Sequence, residues 1–189
     1  MEIKVLKDIL GANDQIAEKN RQLLDSKEVF AVNIMSSPGA GKTSLILETI
    51  KRLKGKSRIG VIEGDVSSSL DAETVAKTGV PVLQINTGGG CHLDANMVNN
   101  ALSNFPLQDI ELLFIENVGN LICPAEFVLG AHRKVIISSI PEGDDKPFKY
   151  PLMFSIADAV LINKIDLLPH LKFDAPAFSR TIKGINEKA

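Results

Sequence analysis

The stretch from Asn33 to Glu48 constrains this chain more than any other. Ahead of it runs Val29-Phe30-Ala31-Val32-Asn33-Ile34, an apolar, β-branched segment of the kind that forms a buried strand. Behind it, Leu45, Ile46, Thr49, Ile50 and Leu53 fall on one side of a helix. Between the two lies a loop of small residues, Ser36-Ser37-Pro38-Gly39-Ala40-Gly41-Lys42-Thr43-Ser44. Small residues let backbone N–H groups approach phosphate oxygens, and the helix start adds unpaired donors and a favourable dipole. In such a cradle Lys42 neutralises the β/γ charge and Thr43 offers its hydroxyl to Mg²⁺. The usual pattern opens on a glycine where this chain has Ser36, although Ser36-Ser37-Pro38 can still make the turn. The competing reading is an ordinary glycine-rich turn from strand to helix.

At 189 residues the chain is long enough for one domain with a sizeable core. Its hydrophobic content of 44% and charged content of 23% are ordinary for a globular protein. No apolar run approaches the roughly 20 residues that cross a bilayer, and the charged N-terminus does not resemble a secretory signal. A formal charge of −2 argues against a dedicated nucleic-acid binder. Two cysteines make no disulfide framework, so a reducing cytoplasm is the expected setting.

Residues 13–26 are expected to form a helix capped by Asn13 or Asp14, with Ile16, Ala17, Leu23 and Leu24 as a thin apolar stripe. That much polar surface suggests an appendage to a single 1–189 domain. The segment Ile3–Leu10 is left open between a weak strand, a docking arm and disorder. Further strands are expected at 58–63, 80–86, 111–116, 134–140 and 159–163, with helices at 70–78, 94–105 and 124–131. Near-continuous apolar strands alternating with helices indicate an α/β fold, a mostly parallel sheet with helices on both faces. Ligand groups then gather beyond the carboxyl ends of the strands.

Two later motifs refine the nucleotide. Leu112–Ile115 delivers Glu116-Asn117-Val118-Gly119, where an acid at a strand end can hold Mg²⁺ and a glycine N–H can sense a γ-phosphate. Asn163-Lys164-Ile165-Asp166 follows another apolar strand. A carboxylate at Asp166 accepts from both N1–H and the 2-amino group of guanine, donors that adenine lacks in that arrangement. Asn163 would support the loop, and Lys164 would lay its stem over the base, so GTP is the expected nucleotide. Asp65, in Glu63-Gly64-Asp65-Val66, is a candidate carboxylate for Mg²⁺, with a plain turn-forming role as the alternative.

A second site gathers around Gly88-Gly89-Gly90-Cys91-His92-Leu93-Asp94 and Cys123. Thiolate and imidazole suit Zn²⁺ or Ni²⁺, and a helix start would lower a thiol pKa. Three ligands leave a tetrahedral or square-planar site unfinished, to be completed by water or by a second chain. The bland alternative is two cysteines acting as small hydrophobes beside an incidental histidine. Cys123 lies seven residues beyond Glu116, at most roughly 25 Å of extended chain from the γ-phosphate sensor. A shift at Gly119 could therefore reorient a metal ligand.

Taken together, Ser36–Thr43, Glu63–Val66, Gly90–Leu93, Glu116–Pro124 and Asn163–Asp166 resemble the HypB family of hydrogenase maturation GTPases. Glu142-Gly143-Asp144-Asp145-Lys146-Pro147 is also similar to that family, with no independent chemistry assigned to it. The resemblance runs from about residue 13 to residue 186. It implies a P-loop GTPase of the signal-recognition/MinD class that dimerises with GTP and helps deliver nickel to [NiFe] hydrogenase. It also implies a Zn²⁺/Ni²⁺ site at the dimer interface from Cys91, His92 and Cys123, and as partners a HypA-like nickel-binding protein and the hydrogenase large subunit. The extra loop lysine of MinD-like ATPases would fall at Ser37 and is absent. No His-rich or Cys-rich tract is present, and the C-terminal end reads as truncated relative to that family. No side chain in the motifs is an evident strong base, so slow hydrolysis is expected. The rivals are urease-accessory and cobalamin-mutase chaperone GTPases, a small-molecule kinase with the same loop, and a metal-stabilised adaptor.

Overall fold

The computed structural model describes residues 4–189, with side-chain surroundings from residue 10 onward. The chain runs α1 (Lys4–Ser26), β1 (Phe30–Ser36), α2 (Lys42–Leu53), β2 (Ile59–Asp65), α3 (Leu70–Ala76), β3 (Val82–Asn86), α4 (Ala95–Ser103) and β4 (Leu112–Glu116). It continues with β5 (Arg133–Ser139), α5 (Lys146–Lys149), α6 (Pro151–Ser155), β6 (Ala159–Asn163) and α7 (Ala175–Ile185). The six strands form one sheet in the order β3-β2-β4-β1-β5-β6, and every neighbouring pair is parallel. Parallel neighbours need crossover segments, and helices laid on both faces explain why the strands read as unbroken apolar runs.

Strand alternation sends side chains to two separate cores. Ile62, Leu113 and Ile115 join Leu24, Leu93, Val98 and Leu102 on the α1/α4 face. Val61, Phe114 and Ile34 join Ile46 and Ile50 of α2 on the other. Met35 and Ile136 anchor a third cluster with Phe154 and Phe178, whose rings meet edge to face at 6.2 Å. Because all strands point one way, Ser36, Asp65, Asn86, Glu116 and Asn163 end on one rim of the sheet. That rim carries the motifs.

Three expectations are corrected. The first helix begins at Lys4, so Asn13 lies inside it rather than capping it, and the segment left open before it is helical from Lys4; residues 1–3 lie outside the described residues. Nor does that helix stand apart, since Leu24 is fully buried in the α1/α4 core. Finally, no helix spans 124–131: only a 3₁₀ turn at Cys123–Ala125 forms before Gly130 takes a φ of 92°. Pro124 supports the start of that turn, and residues 127–129 take no regular structure before Gly130. Helix α7 was not anticipated, although Asp174 caps it by accepting from Ala177 N at 2.8 Å and a proline sits in its first turn. Among the described residues no helix is long and apolar enough to cross a membrane.

Candidate nucleotide and metal sites

At the end of β1 the expected phosphate loop turns through Gly39 and Gly41, with φ of 72° and 101°, into α2 at Lys42. Lys42 is buried, its Nζ 3.8 Å from Glu116 Oε1. Thr43 donates to the same oxygen at 2.9 Å. So Glu116, 73 residues beyond Thr43, forms one polar group with the adjacent Lys42 and Thr43. Glu63 belongs with them, because the β2–β4 register sets it directly opposite Glu116. Both acids are buried, and burial followed by the Glu116 charge pushes the Glu63 carboxyl well above the usual carboxylate range. Burial raises Glu116 as well, against the opposing pull of Lys42 and Thr43. Among the described residues Glu63 Oε1 and Glu116 Oε2 find no hydrogen-bond partner, which is costly for buried polar atoms.

Those orphaned oxygens beside a threonine hydroxyl match the needs of Mg²⁺, a hard cation that takes oxygen ligands. Asp65, expected near the ion, uses Oδ1 to accept from Ser67 N at 2.9 Å and Ser68 N at 2.6 Å. It therefore makes the turn that competed with its metal role, while still lining a cavity of about 40 Å³ with Lys42, Glu63, Asp71, Glu116 and Gly119. Sequence reasoning passed over Glu63, which sits inside an apolar strand and shows its partner only through the sheet order.

The second nucleotide motif closes over the first. Asn163 donates to Ala40 O at 2.8 Å and Lys164 Nζ donates to Gly39 O at 2.7 Å. Lys164 takes a left-handed φ of 57° at the start of the Ile165–Leu167 turn that carries Asp166. Two of the three expected base-site residues, Asn163 and Lys164, thus brace the phosphate loop. Glu142 does so too: Ser37 Oγ donates to its Oε1, while Ser139 N and Oγ donate to its Oε2 at 2.7 and 2.6 Å. That gives chemistry to a stretch the sequence left unexplained.

Along the same rim, Cys91, His92 and Cys123 bring their ligand atoms within 4.8 Å of one another. Both thiols are free: Cys91 Sγ donates to Cys123 Sγ at 3.0 Å and lies 3.7 Å from His92 Nδ1. The His92 ring stacks on Phe127 at 4.0 Å, and burial lowers its pKa, favouring the neutral imidazole that binds metals. Two sulfurs and one nitrogen form a borderline-soft donor set suited to Zn²⁺ or Ni²⁺. Asp94 caps α4 by accepting from Met97 N at 2.7 Å, and the hydrogen bond from Cys91 pushes the Cys123 thiol up.

The two sites are joined by asparagines. Asn117 Oδ1 accepts from Leu93 N at 3.1 Å and from Val118 N at 2.9 Å. Asn120 N donates to Ser36 O at 2.8 Å, and its Nδ2 donates to Cys91 O at 3.2 Å. Between them Gly119 lies so close to the loop that a Cβ there would sit 2.9 Å from the Pro38 backbone.

Residues 30–189 match the family model for the CobW/HypB/UreG nucleotide-binding domain. The hydrogenase maturation factor HypB of Rhizobium leguminosarum is 54% identical over 172 residues, covering 91% of this chain and 58% of that protein. HypB of Escherichia coli K12 is 49% identical over 179 residues, covering 95% of this chain and 62% of its own length. The chain belongs to the HypB family. It spans about three fifths of the length of these curated HypB relatives. Among solved structures, HypB of Archaeoglobus fulgidus superposes with a TM-score of 0.88 at 43% identity, over 95% of this chain and 87% of that one. HypB of Helicobacter pylori, solved in complex with nickel, gives 0.90 at 38% identity, over 94% and 84%. The signal recognition particle receptor FtsY of Mycoplasma mycoides, at 14% identity and a TM-score of 0.59 over 82% and 57%, shares the fold alone.

Proposed function

We propose that this HypB-family chain is a single-domain GTP-hydrolysing metallochaperone that helps deliver nickel to [NiFe] hydrogenase. The observation that carries the reading is Asn120, bonded at once to the phosphate-loop carbonyl of Ser36 and to the carbonyl of Cys91. Family membership and the nickel complex of the Helicobacter pylori relative support it.

In this reading the amides of Gly39, Ala40, Gly41 and Ser44 hold the phosphates, and the buried Lys42 ammonium lies against the β/γ oxygens. Asp166 selects guanine, while Asn163 and Lys164 hold the loop in shape through the Ala40 and Gly39 carbonyls. Thr43 and Glu116 would hold Mg²⁺, with Asp65 and Glu63 facing the same cavity. When bound there, magnesium supplies positive charge against the phosphate oxygens. The site residues include no free strong base, so hydrolysis is slow, as suits a switch. Gly119 N–H follows the γ-phosphate, and Asn120 passes its movement to Cys91.

Cys91, His92 and Cys123 carry Ni²⁺ as cargo, with Zn²⁺ as the competing occupant. A second copy of the chain, closing when GTP is bound, completes the coordination shell. A HypA-like nickel-binding protein and the hydrogenase large subunit are the exchange partners, and the cytoplasm is the setting. The test is titration with Ni²⁺ in GDP and in a non-hydrolysable GTP analogue, with molecular mass followed in parallel. The reading expects nickel affinity and dimer fraction to differ between the two nucleotides. Equal affinity and equal mass would refute it.

A further inference from the structure

Helix α1 precedes residues 30–189, the part matched by the nucleotide-binding family model. Its polar face looks from sequence like a solvated surface, yet Asn13 is 7% exposed and Asn20 is fully buried. Buried amides are tolerated when their hydrogen bonds are made, and here the partners are specific. Asn13 Oδ1 accepts from Ala95 N at 2.8 Å, and its Nδ2 donates to Val128 O at 2.9 Å. Asn20 Nδ2 donates to Ala95 O at 2.8 Å and to Leu129 O at 3.0 Å, and its Oδ1 accepts from Asn99 at 2.8 Å. Arg21 donates through Nε to Gly130 O at 2.8 Å and through Nη2 to Ala131 O.

Each asparagine therefore ties the same two segments together. Ala95 follows Cys91 and His92 by a few residues, and Val128–Ala131 follows Cys123 in the same way. Gly130 shows how flat the second segment lies, since a Cβ there would collide with the Ala17 carbonyl and the Asn20 side chain. Between the two segments the His92 and Phe127 rings stack. The nucleotide-side contacts, from Asn117 to Leu93 N and from Asn120 to Cys91 O, reach the first segment from the other direction.

We infer that α1 is the splint of the Cys/His site, with Asn13 and Asn20 as positioning residues that set the separation of Cys91–His92 from Cys123. The inference rests on reading those three residues as metal ligands. Its physical basis is that groups supporting a metal's ligands govern affinity by holding those ligands in place. With Ala95 and Val128 pinned to a helix, movement entering through Gly119 and Asn120 goes into the ligand residues and not into both segments as a whole. Asn13 and Asn20 lie away from the phosphate loop, so guanine-nucleotide binding does not depend on them.

The test compares the intact protein with its Asn13→Ala, Asn20→Ala and Cys91→Ala variants. Ni²⁺ titrations follow thiolate-to-nickel charge-transfer absorption, with far-ultraviolet circular dichroism and GDP affinity measured alongside. Folded Asn13→Ala and Asn20→Ala are expected to keep GDP affinity and lose about tenfold or more in nickel affinity, with an altered absorption band. If a variant fails to fold, Asn13→Asp takes its place, keeping the acceptor toward Ala95 N while removing the donor toward Val128 O. Unchanged nickel affinity and band in the folded asparagine variants, when Cys91→Ala has lost both, would overturn the splint. Intact nickel binding in Cys91→Ala would instead overturn the metal reading beneath it.

Discussion

The nucleotide end and the metal end of this molecule lie on the same rim but are built on opposite terms. At the nucleotide end, Glu63 and Glu116 are buried side by side with two oxygens unpartnered, and one lysine is set against them. That arrangement is uncomfortable when empty, because buried acids of like charge destabilise one another and hold a proton to relieve it. At the metal end, Cys91 is exposed and Cys123 half-buried, and the ligand atoms already converge within 4.8 Å. A cation has much to relieve at the first site, whereas the second has only to accept an ion in a preformed arrangement. The proposed coupling of nucleotide state to metal affinity would draw on that contrast between strain at one end and convergence at the other.

The sharpest way to break this contrast is Lys42→Ala. Removing this cation, the one buried Lys or Arg among the described residues, is expected to lower GTP hydrolysis by about 100-fold or more, read as phosphate release. Nickel affinity in the absence of nucleotide should be unchanged, and parallel loss of both would merge the two ends into one site. A smaller effect is expected for Asp166→Asn, which loses the acceptor for guanine. It should cut the preference for GTP over ATP on the order of 100-fold in competition binding. An unaltered preference would remove Asp166 from the base site.

The smallest effect concerns the empty protein. Burial raises the Glu63 carboxyl above its ordinary value of 4.5, so between that value and the raised one the folded form holds a proton that the unfolded chain has released. Stability therefore falls as pH rises above 4.5, and Glu63→Gln, which cannot ionise, should flatten that decline. Melting temperatures of nucleotide-free and Mg²⁺-free protein from about pH 5 to about pH 8 check it. An identical slope in the variant would show that Glu63 is not the group held protonated.

The legible parts of this molecule were those encoded locally. β6 is found at the residues its apolar run marks, Ala159–Asn163, and the phosphate loop follows its strand and opens its helix as the order of residues requires. What escaped depends on partners distant in the chain. Glu63 acquires meaning only because β4 inserts between β1 and β2 and sets Glu116 beside it. Asn13 reads as a helix cap and Asn20 as one more polar position until carbonyls more than a hundred residues away, at Val128 and Leu129, close on them. Glu142 is hidden in the same way, since only the fold brings Ser37 to it. Periodicity reports which face of an element is apolar, not which polar residue will be buried with its bonds satisfied.

Of the two asparagines that reach from the nucleotide end, Asn117 bonds Leu93 N whereas Asn120 bonds the carbonyl of Cys91 itself, and Asn120 is the one proposed to carry nucleotide state to the metal ligands. Replacing it by Ala removes the bond to Cys91 O while the backbone bond from residue 120 to Ser36 O can persist. The decisive measurement is the ratio of Ni²⁺ dissociation constants in GDP and in a non-hydrolysable GTP analogue, for the intact protein and for Asn120→Ala. The account predicts a ratio of about fivefold or more in the intact protein, falling to unity in the variant with nucleotide affinities preserved. A ratio that survives the substitution unchanged would contradict it.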